Sequence, residues 1–169
     1  MNNHSAISIK RLFHRQQPRQ SLTKNIKSGI GGLFCIASIA WFGFITDSLL
    51  LMAPFGASCV LIFSLPNSPL SQPVNVIGGH LISTFIGILM FQLLPFEWWI
   101  PALAVGLSIS LMAIFRLTHP PAGADPLVVF MGGFGWDYLI FPVVTGSVLI
   151  TIIAWLFHKL PPVSEYPIE

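Results

Sequence analysis

The sequence predicts an all-α, polytopic membrane protein with two related, inverted halves, each containing a helix broken by proline and glycine. Three observations carry that reading. Of 169 residues, 54% are hydrophobic and only 8% charged, with a mean hydropathy of +0.78, where a soluble domain has roughly 25% charged residues. Six of the eight Lys and Arg residues (Lys10, Arg11, Arg15, Arg19, Lys24 and Lys27) precede Gly29. The third observation is that the chain aligns on itself at an offset of 67 residues. A soluble enzyme is excluded by composition, and so is a nucleic-acid binder, because no aromatic residues are interleaved with the basic arm for base stacking.

Residues 1–28 are polar and basic and read as a cytoplasmic arm. The transmembrane domain follows at 29–157, with repeat 1 over about 29–95 and repeat 2 over about 96–157, and residues 158–169 form a short cytoplasmic tail. Four segments approach the ~20 apolar residues that span a bilayer core: Gly29 to Thr46, Val74 to Leu94, Trp98 to Leu117 and Tyr138 to Phe157. The first lacks a small-residue cleavage site after it and reads as a retained helix rather than a secretory signal. Trp41, Trp98, Trp99, Trp136 and Trp155 fall mostly near segment ends, as interface anchors do.

Two apolar segments resist this description. Ser48 to Pro66 carries Pro54 and Gly56, and Thr118 to Gly135 carries Pro120, Pro121, Gly123 and Pro126. Proline removes a backbone donor and clashes with the preceding turn, and the freed carbonyls need partners inside protein or beside a cavity. The self-alignment joins these two segments. Leu50 to Ser58 falls on Leu117 to Asp125, pairing Pro54 with Pro121, Gly56 with Gly123, Ala57 with Ala124 and Ser58 with Asp125, and Leu50 to Pro95 matches at 12 of 46 positions without a gap. Composition alone gives about 4. If the broken segments cross the membrane, Arg116 and Lys159 lie on the cytoplasmic side with the arm, while Asp47, Glu97 and Asp137 lie outside, as the positive-inside rule requires. If they instead dip in and return, Arg116 moves outside, a weaker fit, so crossing is the favoured reading. Three crossings per half then make the repeats inverted, the plan of many secondary transporters.

The broken segments are the expected binding site. Asp125 before Pro126 suits an N-cap followed by a first helical turn, and Ser58 repeats the arrangement with a serine cap. Two half-helix N-termini facing each other near the midplane offer unpaired N–H groups and positive dipole ends to a small monoanion. Pro54, Gly56, Ala57, Ser58, His119, Pro120, Pro121, Gly123, Ala124 and Asp125 are the candidate substrate-binding residues. Asp125 either satisfies N–H groups at its own helix start or is protonated with substrate. His119 either does the same or caps the preceding helix, and these two are the proton-coupling candidates. His80 and Arg116 are secondary candidates, the first against a hydrogen bond to a neighbouring helix, the second against a topology role.

The run His119 to Pro126, with Ala53-Pro54-Phe55-Gly56-Ala57-Ser58 and Asn75-Val76-Ile77-Gly78-Gly79-His80, resembles the HPP family of small integral membrane proteins. That resemblance covers about Gly29 to Phe157. It implies a transporter, with nitrite uptake proposed in photosynthetic lineages, and it implies four membrane helices where the reading above has six segments.

The expected function is transport of a small anion such as nitrite, by a homo-oligomer in the cell inner (plasma) membrane with a cytoplasmic N-terminus. A non-transporting scaffold subunit, or a channel for another solute, is the alternative. A hydrolase built from Ser58, His119 and Asp125 lacks a nucleophile-elbow pattern, so no enzyme activity is expected. No cofactor or metal is expected either. Cys35 and Cys59 lie in apolar segments without metal-ligand spacing, and His80 and His119 are the only histidines expected to be buried.

Overall fold

The computed structural model describes residues 13–95 and 97–168. It contains six α-helices and, among the described residues, no strand: α1 Leu22–Ile45, α2 Ala53–Ser64, α3 Pro73–Leu93, α4 Ile100–Ile114, α5 Asp125–Gly132 and α6 Thr145–His158. A 3₁₀ turn at Pro69–Ser71 leads into α3, a second at Pro120–Ala124 leads into α5, and a π-helical turn at Leu139–Val144 leads into α6. By length and composition, Leu22–Ile45, Pro73–Leu93 and Leu139–His158 suffice to cross a membrane, while Ala53–Ser64 and Ile100–Ile114 are shorter apolar helices.

Three boundaries differ from expectation, each for a local reason. The first helix starts at Leu22 rather than Gly29 because Ser21 caps it, accepting from the Lys24 amide at 3.3 Å. Part of the basic arm, Lys24 and Lys27, is therefore helical, and Met1 to Arg11 lie outside the described residues. The third expected span ends at Ile114, not Leu117. Arg116 adopts φ 58°, Leu117 donates back to the Met112 carbonyl at 2.8 Å and Arg116 to that of Ala113 at 3.1 Å, a left-handed helix stop usually taken by glycine. The last span is not one regular helix, since Pro142 lies within it and Phe141 leaves helical geometry at φ −122°.

Contacts between elements give the direction of each segment. Ser28 Oγ donates to the Phe63 carbonyl at 2.7 Å, Gly32 approaches Cys59, and Gly43 lies against Ser48 and Leu50, so Ser48 to Ser64 runs back along α1. Along α3 the order is Asn75 to the Thr118 carbonyl (3.1 Å), Ser83 to the Ala122 carbonyl (2.6 Å), Thr84 to Asp125 (3.1 Å) and Phe91 against Phe130. Leu117 to Gly132 therefore runs parallel to α3 and opposite to the first broken segment. The chain traverses the bundle six times. Lys27 Nζ donates to the carbonyls of Leu160 and Pro162 at 2.6 and 2.7 Å, which puts the arm and the tail at one end. Arg116 is there too, its carbonyl 3.4 Å from Asn75 Nδ2 near the start of α3. Asp47, Glu97 and Asp137 follow the opposite ends of the helices.

The bundle has an apolar outside and a partly polar inside. Leu33, Phe34, Trp41, Leu103 and Ile114 are exposed, while Ser58, His80, Ser83, Thr84, Ser108, His119, Asp125 and Ser147 are buried. That distribution suits lipid, where only internal partners can satisfy polar groups. Trp155, 43% exposed, lies under the Lys159 ammonium at 3.4 Å, an aromatic anchor with a cation at its edge.

Candidate functional site

The site is assembled by α3. Its residues Asn75, Gly79, Ser83 and Gly87 recur every four positions and so share one face, and that face holds the His-Pro-Pro segment. A Cβ on Gly79 would stand 2.6 Å from the His119 Cβ, one on Gly87 would stand 2.9 Å from the Pro126 Cα, and one on Gly78 would meet Leu117 at 2.9 Å. Glycine here brings two backbones close enough for Ser83 to reach the Ala122 carbonyl. Proline leaves the segment short of donors, and α3 supplies them through Asn75 and Ser83. The glycine pairs 31–32 and 78–79 thus serve close contacts, Gly31 lying against Phe63 and Phe157. Gly132-Gly133 instead forms a turn, with Gly133 at φ 64°.

On the same helix His80 and Thr84, one turn apart, face Asp125. His80 Nδ1 lies 2.8 Å from Asp125 Oδ2, and Thr84 Oγ1 donates to that oxygen at 3.1 Å. His80 Nε2 is 2.9 Å from Ser58 Oγ, which is also 2.9 Å from His119 Nε2 and 3.1 Å from the Pro54 carbonyl. His119 Nδ1 reaches the Leu70 carbonyl at 2.8 Å. Asp125, His80, Ser58 and His119 therefore form one hydrogen-bonded chain across three helical elements. All four residues are fully buried, and Phe55 closes one side, its ring edge-on to His80 with centroids 5.3 Å apart. Asp125 Oδ1 has no hydrogen-bond partner among the described residues.

These contacts correct two expectations. Asp125 is not an N-cap: α5 is preceded by Ala124, no side chain caps it, and the Asp125 carboxylate points to His80 and Thr84 instead. Ser58 is not a cap either, because α2 begins at Ala53 behind Met52, leaving Ser58 inside the helix with its hydroxyl on the carbonyl four residues back. The positions 67 apart that do precede helix starts are Met52 and His119, both extended, at φ −128° and −133°. His119 does not cap the helix before it, which ended at Ile114. What stands where the broken segments meet is therefore a set of side chains rather than two facing sets of helix N–H groups.

Of the candidate residues, Pro54, Ser58, His119 and Asp125 come together in the network, the first through its carbonyl. Pro121 is buried and Gly123 half-buried, while Gly56, Ala57, Pro120 and Ala124 are exposed on the outer surface. Ala57, Pro120 and Pro121 line an outer groove with Val60, Leu61 and Ser64. A Cβ on Gly56 or Gly123 would meet nothing within 4 Å. Arg116 is exposed at the basic end, and His80 moves from a secondary candidate to the centre. Thr84 was legible as the residue one helical turn after His80, whereas the Leu70 carbonyl left no mark in the sequence. His158, 2% exposed, is a third buried histidine. It binds the Ile62 carbonyl at 3.2 Å and borders a cavity of about 640 Å³ shared with Lys24, Lys27 and Glu165. Among the described residues no three His, Cys, Asp or Glu side chains converge where a metal ion would sit.

Comparison with known proteins places this architecture. The family described as "HPP, transmembrane region" matches residues 17–167. A transmembrane protein of Dictyostelium discoideum is 35% identical over 127 residues, covering 70% of this chain and 44% of its own length. A second from the same organism is 33% identical over 130 residues, covering 72% and 42%. The chain spans less than half the length of these curated relatives. No solved structure matches it. With a family match over almost its whole length and a polar seam running through the residues that define the family resemblance, the chain is an integral membrane protein and belongs to the HPP transmembrane family.

Proposed function

We propose that this protein is a proton-coupled secondary transporter of a small anion such as nitrite, working as a homo-oligomer in the cell inner membrane with its N-terminal arm in the cytoplasm. One observation carries the reading: a continuous Asp125–His80–Ser58–His119 chain, fully buried, where two oppositely running broken segments meet. Ionisable groups at membrane depth are costly and are characteristic of proton and substrate pathways. Opposite running directions are also what inverted repeats require, and each half supplies one broken segment. The network is sealed in this conformation, so a carrier exposes it by moving the segments. A proton taken up by the network provides the positive charge an anion needs, in place of helix N-termini. Family resemblance supplies nitrite as the first candidate.

A second reading has its own observation. Ser58, His80 and Asp125 follow the atom order of a hydrolase triad, carboxylate to Nδ1 and Nε2 to hydroxyl. His119 on the other side of Ser58 and the complete burial of the hydroxyl leave no place for an acyl group. Labelling of Ser58 by a fluorophosphonate probe would favour this reading.

The test is uptake by purified protein in liposomes, with nitrite, nitrate, formate and chloride compared and protein-free vesicles subtracted. Saturable, competed uptake that rises when the outside is acidified supports the transporter. No flux of any of the four above the protein-free vesicles, in folded protein, removes it and leaves the scaffold subunit or a channel for another solute.

A further inference from the structure

The donor and acceptor roles in the buried chain leave little freedom. A carbonyl only accepts, so His119 Nδ1 carries a proton and donates it to Leu70. Ser58 has one hydroxyl proton for three partners: His119 Nε2, His80 Nε2 and the Pro54 carbonyl. When it donates to His119 that ring is neutral, and His80 Nε2 must be protonated to donate to Ser58. His80 Nδ1 and Asp125 Oδ2 then share one further proton, while Thr84 donates to the same oxygen. Every contact but that to the Pro54 carbonyl then carries a proton, and the network has zero net charge wherever the shared proton lies.

One more proton has two places to go. Asp125 Oδ1 has no partner among the described residues, so protonation there breaks no hydrogen bond. His119 Nε2 takes it when His80 Nε2 passes its proton to Ser58 and the old hydroxyl proton passes to His119, leaving the new hydroxyl donating to His80 Nε2 at 2.9 Å. These are the two ends of one chain, linked by proton hops through Ser58 and His80. The elements around it offer few other titratable groups: α2 carries Cys59, α3 only His80, α4 none and α5 only Asp125, with Tyr138 within electrostatic reach of the Asp125 carboxylate. No Lys or Arg lies on α2 to α6. A gained proton therefore leaves a single uncompensated positive charge in a desolvated site, which is expensive until a counter-ion enters.

We propose that the network binds one proton with each monoanion, making transport an electroneutral one-to-one symport in which Ser58 switches its hydroxyl between His119 and His80. This rests on the transport reading above. The experiment uses the full chain in vesicles with nitrate and nitrite as probes, a trapped pH dye, and a potassium–valinomycin clamp, with acid leak measured in protein-free vesicles. The expected result is about one proton per anion and an uptake rate that changes less than about twofold with an inside-negative potential, where one net charge moved would change it about tenfold or more. The double variant Asp125→Asn/His119→Gln removes both acceptors; it should exchange nitrate at fixed pH but no longer accumulate it on a pH gradient, while each single variant keeps a ratio of about one. Ser58→Ala, which cuts the chain without removing a titratable group, should slow coupled uptake about tenfold at an unchanged ratio. Anion movement without protons, or a rate that follows the clamp, overturns the one-to-one account and leaves transport standing. An unchanged Ser58→Ala rate overturns the switch. Absence of flux in the unaltered protein overturns both.

Discussion

The two broken segments are built alike and do different work. Each begins its helical part after an extended residue, Met52 in one half and His119 in the other, and each lies against a long helix from the opposite half: α3 on Ala122 and Pro126, α6 with Gly146 on Phe55. The chemistry is not shared in the same way. Met52 packs in the apolar core, its sulfur accepting from the Tyr138 hydroxyl at 3.9 Å, whereas His119 joins Ser58 and Leu70. His80 has Ser147 at its equivalent position, and Ser147 merely bonds the Val144 carbonyl at 3.0 Å. Thr84 and its equivalent Thr151 divide likewise, one on Asp125 and the other on the Val148 carbonyl. Positions 67 apart in the sequence thus make different contacts, and the polar seam draws on one member of each of these pairs.

The comparison can be broken most strongly at His80. His80→Ala strips the fully buried Asp125 of its imidazole and should cost about 3–5 kcal/mol, the loss expected when one partner of a buried pair is removed. Ser147→Ala at the equivalent position loses one local hydrogen bond and should cost about 1 kcal/mol or less. Thermal unfolding in detergent compares them directly, and equal losses would contradict the asymmetry. Next in size is Gly79→Ala, whose new methyl collides with the His119 Cβ and should cost about 1–3 kcal/mol, with Gly87→Ala close behind. Gly56→Ala and Gly123→Ala add a Cβ into open space and should shift stability by no more than about 0.5 kcal/mol. The smallest effect is a gain. Arg116→Gly relieves a left-handed backbone at φ 58° and should stabilise the end of α4 by about 1 kcal/mol or less.

Most of the architecture was legible because lipid imposes simple rules. Apolar length located the long helices, and proline with glycine located the two segments that are not single regular helices. The site was legible as a neighbourhood rather than as a geometry. Residue type suggested helix caps for Asp125 and Ser58 because Asp-Pro and serine favour helix starts, but the fold brings His80 within reach of both, and their side chains meet it instead. His80 looked like a lone histidine in a span; its role depends on Gly79 beside it, which admits His119, and on Thr84 one turn later. The Leu70 carbonyl that orients His119 is a backbone atom in a 3₁₀ turn, and no side-chain pattern announces it.

If the polar seam couples protons to transport, as proposed, loss of a seam residue and loss of the residue 67 positions on must have different effects. The most direct measurement compares nitrate accumulation driven by an imposed pH gradient in vesicles holding His80→Gln, Ser147→Ala or the unaltered protein, each shown to be folded. The account predicts that His80→Gln loses at least about tenfold of the gradient-driven accumulation and Ser147→Ala stays within about twofold. Equal accumulation in all three would contradict it.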